Sequence, residues 1–224
     1  MANTRLKKLE VLIDANAFSH LSKIEINRRK ADKWLWKYLH VFTCTAVKNE
    51  FAKHLDWRPL EHTLLYNKFK IGHVHSVRKL NKLEQNWLHS KYYRKLSLKK
   101  KDKGERHLIC TAVELVKKKK IEQLIIITDD YTARIGFMNN VLEDIPFGQI
   151  WNTPDLLSYL YYVNDDISYE VAENAIIDII PTPSMSWKKF KKDGDTENDA
   201  MIRMRTHYIN KIRQIRFLKQ KYHS

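Results

Sequence analysis

Short runs of β-forming apolar residues alternate with helix-periodic stretches along most of the chain. "LEVLID" (9–14) is an apolar run with polar ends and reads as a buried strand. "HVFTC" (40–44), "QLIIIT" (123–128) and "FGQIWN" (147–152) read as three more. Between the first two, the pattern over 17–39 predicts one or two helices, with Leu21, Ile24, Trp34, Trp36 and Leu39 toward a core. "TAVKNEFAKHL" (45–55) predicts a helix capped by Thr45, and residues 60–98 are mostly helical in pattern. "LKKKDKGER" (98–106) reads as a charged linker turning at Gly104. "ERHLICTAVELVKKKK" (105–120) reads as an amphipathic helix whose terminal lysines suit its dipole. "TPDLLSYLYYV" (153–163) predicts a helix with Thr as N-cap and Pro at N1.

After a Pro-rich joint, "IIPTPSMS" (180–186), a basic helix is predicted from Thr196 to about Tyr222. Its apolar members Met201, Met204, Tyr208, Ile212, Ile215 and Leu218 recur at helical spacing. That stripe has to pack on its own domain, on a second copy (a homodimer) or on another protein partner. Strands alternating with helices predict an α/β fold with a largely parallel sheet. The 224 residues suit one domain (1–163) plus an extension (164–224).

Charge changes this picture most. A formal net charge of +15 points to a polyanionic partner, nucleic acid ahead of an anionic membrane surface. The apolar runs are too short to span a bilayer, so no membrane helix is expected. The N-terminus reads as a strand and not as a signal peptide. Cys44 and Cys110 sit in apolar contexts and read as buried thiols of a reducing, cytoplasmic compartment. Phosphate-binding glycine loops are excluded, since neither GxGxxG nor GxxxxGK[ST] occurs; GxSxG and HExxH are missing too. "DGDTEND" (193–199) reads as a solvated turn and "HVH" (73–75) as surface strand or loop.

The candidate chemistry lies in carboxylates. Asp14 ends the first strand and the pair Asp129 and Asp130 ends another, at the edge where parallel sheets build their sites. Glu50 and Glu105 lie on the core-facing sides of their predicted helices. A carboxylate taken from water needs a partner. One answer is ordinary ion pairs and helix caps: a lysine for Glu50, the helix dipole for Glu105, an N-cap role for Asp14 or Asp129. The other is a shared Mg²⁺ or Mn²⁺, which prefers oxygen ligands. His54, four residues after Glu50, reads as a helix-surface pair.

The order "VLIDAN…TAVKNEF…KGERHLICTA…LIIITDDYTAR" resembles the PIN-domain nucleases over about residues 9–160. Asp14 with Asn16 matches the opening strand motif, Glu50 the second acid, Glu105 the acid opening the next core helix, and Thr128 with Asp130 the Thr-x-Asp. The resemblance implies a three-layer α/β/α sandwich with a central parallel sheet. It also implies one or two Mg²⁺ or Mn²⁺ ions and hydrolysis of RNA phosphodiesters. Asp14, Glu50, Glu105 and Asp130 would be the catalytic metal-holding set, with Asp129 as a further metal ligand. Asn16 and Thr128 would support it by hydrogen bonds. Small members include toxins held by an antitoxin, and a toxin or defence role follows as an expectation. Two other readings stand beside it: a catalytically inactive PIN fold that binds nucleic acid, and a flap-type DNA nuclease. Arg134, Arg94, Lys95, Lys99, Lys100, Lys101 and Lys103 are the expected nucleic-acid contacts, interleaved upstream with Trp87, Tyr92 and Tyr93. For Arg134 an ion pair inside the domain is the equal alternative.

Overall fold

The computed structural model describes residues 8–54, 74–75, 103–119, 121–131, 134, 138, 148–181 and 186–223. β1 (Leu9–Ile13) lies between β4 (Leu39–Cys44) and β6 (Leu124–Ile127) in an all-parallel sheet. β7 (Ile150–Trp151) extends the β6 side, and the two-residue β5 (Val74–His75) joins the end of β4. The order β5-β4-β1-β6-β7 reverses direction at β1. β1, β4 and β6 read as near-continuous apolar runs because both sheet faces are covered.

Helices supply that cover, giving three layers. α1 (Ala15–Lys23) and α2 (Asp32–Tyr38) precede β4, and α3 (Thr45–His54) follows it. α4 (Lys103–Lys119) packs on α3, β4 and β6. α5 (Thr153–Val163) packs on α1, α2 and α6 (Tyr169–Ile179). A short 3₁₀ turn (Ser186–Phe190) leads to α7 (Glu197–His223), whose first turn is closed by a reciprocal Thr196–Asp199 capping box.

Several expectations change in detail. The stretch 17–39 is two helices separated by a hairpin of β2 (Glu25–Ile26) and β3 (Arg29–Lys30). Asn27 and Arg28 turn it with φ of 51° and 60°, a conformation in which Asn is enriched. Gly104 is not in a linker turn but inside the first turn of α4. The middle of α4 is buried on all sides, every residue from Leu108 to Leu115 being buried. The N-cap of α5 is Asn152 rather than Thr153, in a capping box with Asp155. The Thr153 hydroxyl is taken up by Asp129 instead.

The stripe on α7 packs on its own chain. Ala200, Met204, Tyr208 and Ile212 are buried in the same core as the sheet, against α5 and α6. Leu218, expected in that stripe, is 42% exposed. Residues on both sides of position 163 therefore share one core. Among the described residues, no helix is long and apolar enough to cross a membrane.

Candidate active site

The carboxyl ends of β1 and β6 meet where the strand order reverses, the usual place for a ligand crevice in an open parallel sheet. The last paired row there is Ile13 with Ile127, and one residue further on Asp14 faces Thr128. The Asp14 N–H donates to the Ile127 carbonyl at 2.9 Å and prolongs the ladder. Asp14 then caps α1: its Oδ1 accepts from the Ala15 N–H at 2.8 Å. Its Oδ2 accepts from the Thr128 hydroxyl at 3.0 Å.

Thr128 is fully buried and works in two directions. While its hydroxyl donates to Asp14, the same oxygen accepts the Asp130 N–H at 3.2 Å. The Thr-x-Asp spacing thus folds the chain after β6 back over its own strand end. Asp130 is half-buried, and its carbonyl accepts from the Arg134 N–H at 3.0 Å, opening a helical turn.

Asp129 goes the other way. It is fully buried, with Oδ1 accepting from the Thr153 N–H at 2.8 Å and Oδ2 from the Thr153 hydroxyl at 2.6 Å. His20 Nδ1 of α1 lies 2.5 Å from that same Oδ2. Asp129, expected as a further metal ligand, has both oxygens engaged by Thr153 and His20 here. Asp129 and Asp130 therefore take different partners just beyond the end of β6.

Glu50 is half-buried on α3. Its carboxylate rests against the first turn of α4: a Cβ placed on Gly104 would lie 2.7 Å from Glu50 Oε2. That turn carries helix N–H groups without intrahelical partners, a favourable place for an anion. Gly104 immediately precedes Glu105, whose side chain lies outside the described residues. Asn16 is exposed on the first turn of α1. Among the described residues, no three His, Cys, Asp or Glu side chains come close enough together to hold a metal.

Behind Asp14 sits Cys44, the last residue of β4. Burial pushes its thiol up to about 11; the N–H groups of Val47 and Ala46 pull the other way, the Asp14 charge raises it further and the Thr111 hydroxyl lowers it. Those two N–H groups belong to the first turn of α3, which Cys44 immediately precedes.

Of the two readings of Arg134, the ion pair inside the domain is present: its guanidinium is 13% exposed and lies 3.8 Å from Asp155. Lys211 of α7 reaches the other Asp155 oxygen at 2.8 Å. Arg94, Lys95, Lys99, Lys100 and Lys101 lie outside the described residues, as do the side chains of Lys103 and His54.

Sequence reasoning missed His20 and Asn152. His20 shares the buried side of α1 with Ala17 and Leu21, a spacing that could have marked it. Asn152 exchanges hydrogen bonds with the Tyr208 hydroxyl at 2.8 and 3.0 Å, and no local pattern announces that.

Comparison with family models, curated proteins and solved structures returns no match.

Proposed function

We propose that the chain is a divalent-metal-dependent endoribonuclease of PIN type. The observation that carries this reading is the pair of hydrogen bonds on Thr128, which join Asp14 and the Asp130 backbone at the point where the strand order reverses. Asp14, Asp130, Glu50 and Glu105 offer only hard oxygen donors, the set that suits Mg²⁺ or Mn²⁺. Such an ion, when bound, lowers the pKa of its water so that a nucleophile exists at neutral pH. The chain's own part is to hold these carboxylates still. Thr128 and the Ala15 N–H each fix one Asp14 oxygen, and the Asp14 carboxylate cannot rotate without losing both. Neither a histidine nor a covalent nucleophile is required.

The +15 charge supports a polyanionic substrate, RNA in this reading, handled in the cytoplasm. A toxin or defence role and restraint by an antitoxin fit the same chemistry.

A second reading is an inactive PIN fold that binds nucleic acid. The observation in its favour is that no three metal-binding side chains converge among the described residues. One experiment separates the two. Wild type and Asp14→Asn are incubated with single-stranded RNA, and with flap DNA, in Mn²⁺ or EDTA. Mn²⁺-dependent RNA cleavage by wild type alone is expected. Binding without cleavage by either protein selects the inactive fold, and preference for the flap makes the protein a DNA nuclease.

A further inference from the structure

Gly104 occupies the second position of α4, a seventeen-residue helix in which glycine costs stability relative to alanine. It is buried, and no positive φ requires glycine there. Its lack of a side chain has a different consequence. A Cβ at this position would stand 2.7 Å from Glu50 Oε2 and 3.9 Å from its Cδ, the contacts it would make among the described residues. Within the space that glycine leaves lies the Glu50 carboxylate.

We propose that Gly104 is a positioning residue for Glu50: the missing side chain lets that carboxylate lie against the first turn of α4, where it can help hold a divalent cation. This rests on the metal-dependent reading above. The contact is with the far end of a flexible side chain, so an added methyl would displace the carboxylate rather than break the helix. The displacement alters where one oxygen donor sits without changing any charge. A glycine that served only the backbone would not be coupled to Glu50 in this way.

The test is Mn²⁺ binding by calorimetry to wild type, Gly104→Ala, Gly104→Ala/Glu50→Asp and Asp14→Asn, with thermal melts in EDTA. Gly104→Ala is expected to melt at or above wild type in EDTA and to bind Mn²⁺ at least about tenfold more weakly, as when the support of a ligand is lost. Aspartate is one methylene shorter and retreats from the new methyl, so the double variant should recover part of that affinity. Unchanged affinity in Gly104→Ala, with Asp14→Asn impaired, overturns the role of Gly104 and leaves the metal site standing. Unchanged affinity in both overturns the metal reading itself. If Gly104→Ala does not fold, the double variant must fold and bind Mn²⁺; its failure to do so overturns the proposal too.

Discussion

The Thr128 hydroxyl reaches Asp14 Oδ2 at 3.0 Å, joining two strand ends that are 114 residues apart in the chain. Thr128→Val keeps the shape and removes both the donor to Asp14 and the acceptor for the Asp130 N–H. A lost buried hydrogen bond costs about 1 kcal/mol, and an unsupported metal ligand costs about 10–100-fold in affinity or activity. The variant should therefore fold and lose Mn²⁺-dependent RNA cleavage by at least tenfold. Asp14→Asn should abolish cleavage outright. Rates and urea melts on the three proteins check this; full activity in Thr128→Val would make the bond merely structural.

Asp129 and Asp130 should separate into stability and activity. Asp129 is fully buried between His20 and Thr153, so Asp129→Asn disturbs buried hydrogen bonds to both. A buried polar group left without its partner costs about 1–3 kcal/mol. Asp130→Asn should instead spare the fold and remove cleavage. Denaturant midpoints and cleavage rates, measured on both variants, decide the matter. A larger activity loss per unit of stability from Asp129→Asn would reverse the assignment.

What was legible in the sequence follows from how local each signal is. β1, β4 and β6 could be read because a strand covered on both faces is a plain apolar run, and the polar residue that ends it marks the carboxyl edge. Asp14 and the "TDD" turn were legible for the same reason. The partner of Asp129 was not, because Thr153 lies 24 residues away. The β2–β3 hairpin hid inside a helical reading, since two-residue strands carry too few positions to show a period of two. The seat of α7 was illegible in another way. The pattern gave its apolar stripe, but the Tyr208–Asn152 bonds that fix it depend on topology alone.

α7 should behave as part of the domain. Met204 is fully buried, Tyr208 bonds Asn152 at the end of β7, and Lys211 pairs with Asp155. Met204→Ala should cost about 2–5 kcal/mol by opening a cavity. Truncation after Thr196 should unfold the protein or lower its melting temperature sharply, together with cleavage. Circular dichroism of the truncated chain measures this; a native-like melt would show that α7 is an appendage after all.

Cys44 gives a pH dependence with a definite sign. Its folded thiol is pushed from 9.0 up to about 11, mainly by burial. The unfolded chain therefore releases that proton first as the pH rises, and deprotonation favours unfolding. The stability concerned is fully present below pH 9 and is lost between 9 and 11. Cys44→Ala removes this component: it should start less stable at pH 8 and lose less on going to pH 10.5. Equal slopes for the two proteins, in urea melts across that range, would mean the thiol is ionised as easily folded as unfolded.

Metal should act on stability through the same carboxylates that the proposed chemistry uses. In the proposed reading, anions gathered for one cation repel each other and are partly desolvated in its absence. A cation that binds only the folded state adds RT ln(1 + [L]/Kd), about 2.7 kcal/mol at a hundredfold excess over Kd. Mn²⁺ should therefore raise the melting temperature of wild type. Asp130→Asn removes one repelling charge at nearly constant shape. The Arg134 guanidinium pairs with Asp155, so the substitution leaves that ion pair in place. The variant should melt at or above wild type in EDTA and gain less from Mn²⁺. If Asp130 were only the opening residue of a helical turn, Asn would melt lower in both conditions and gain as much from Mn²⁺ as wild type. Melts of the two proteins in EDTA and in Mn²⁺ distinguish the cases, and the second pattern would remove Asp130 from the metal-binding set.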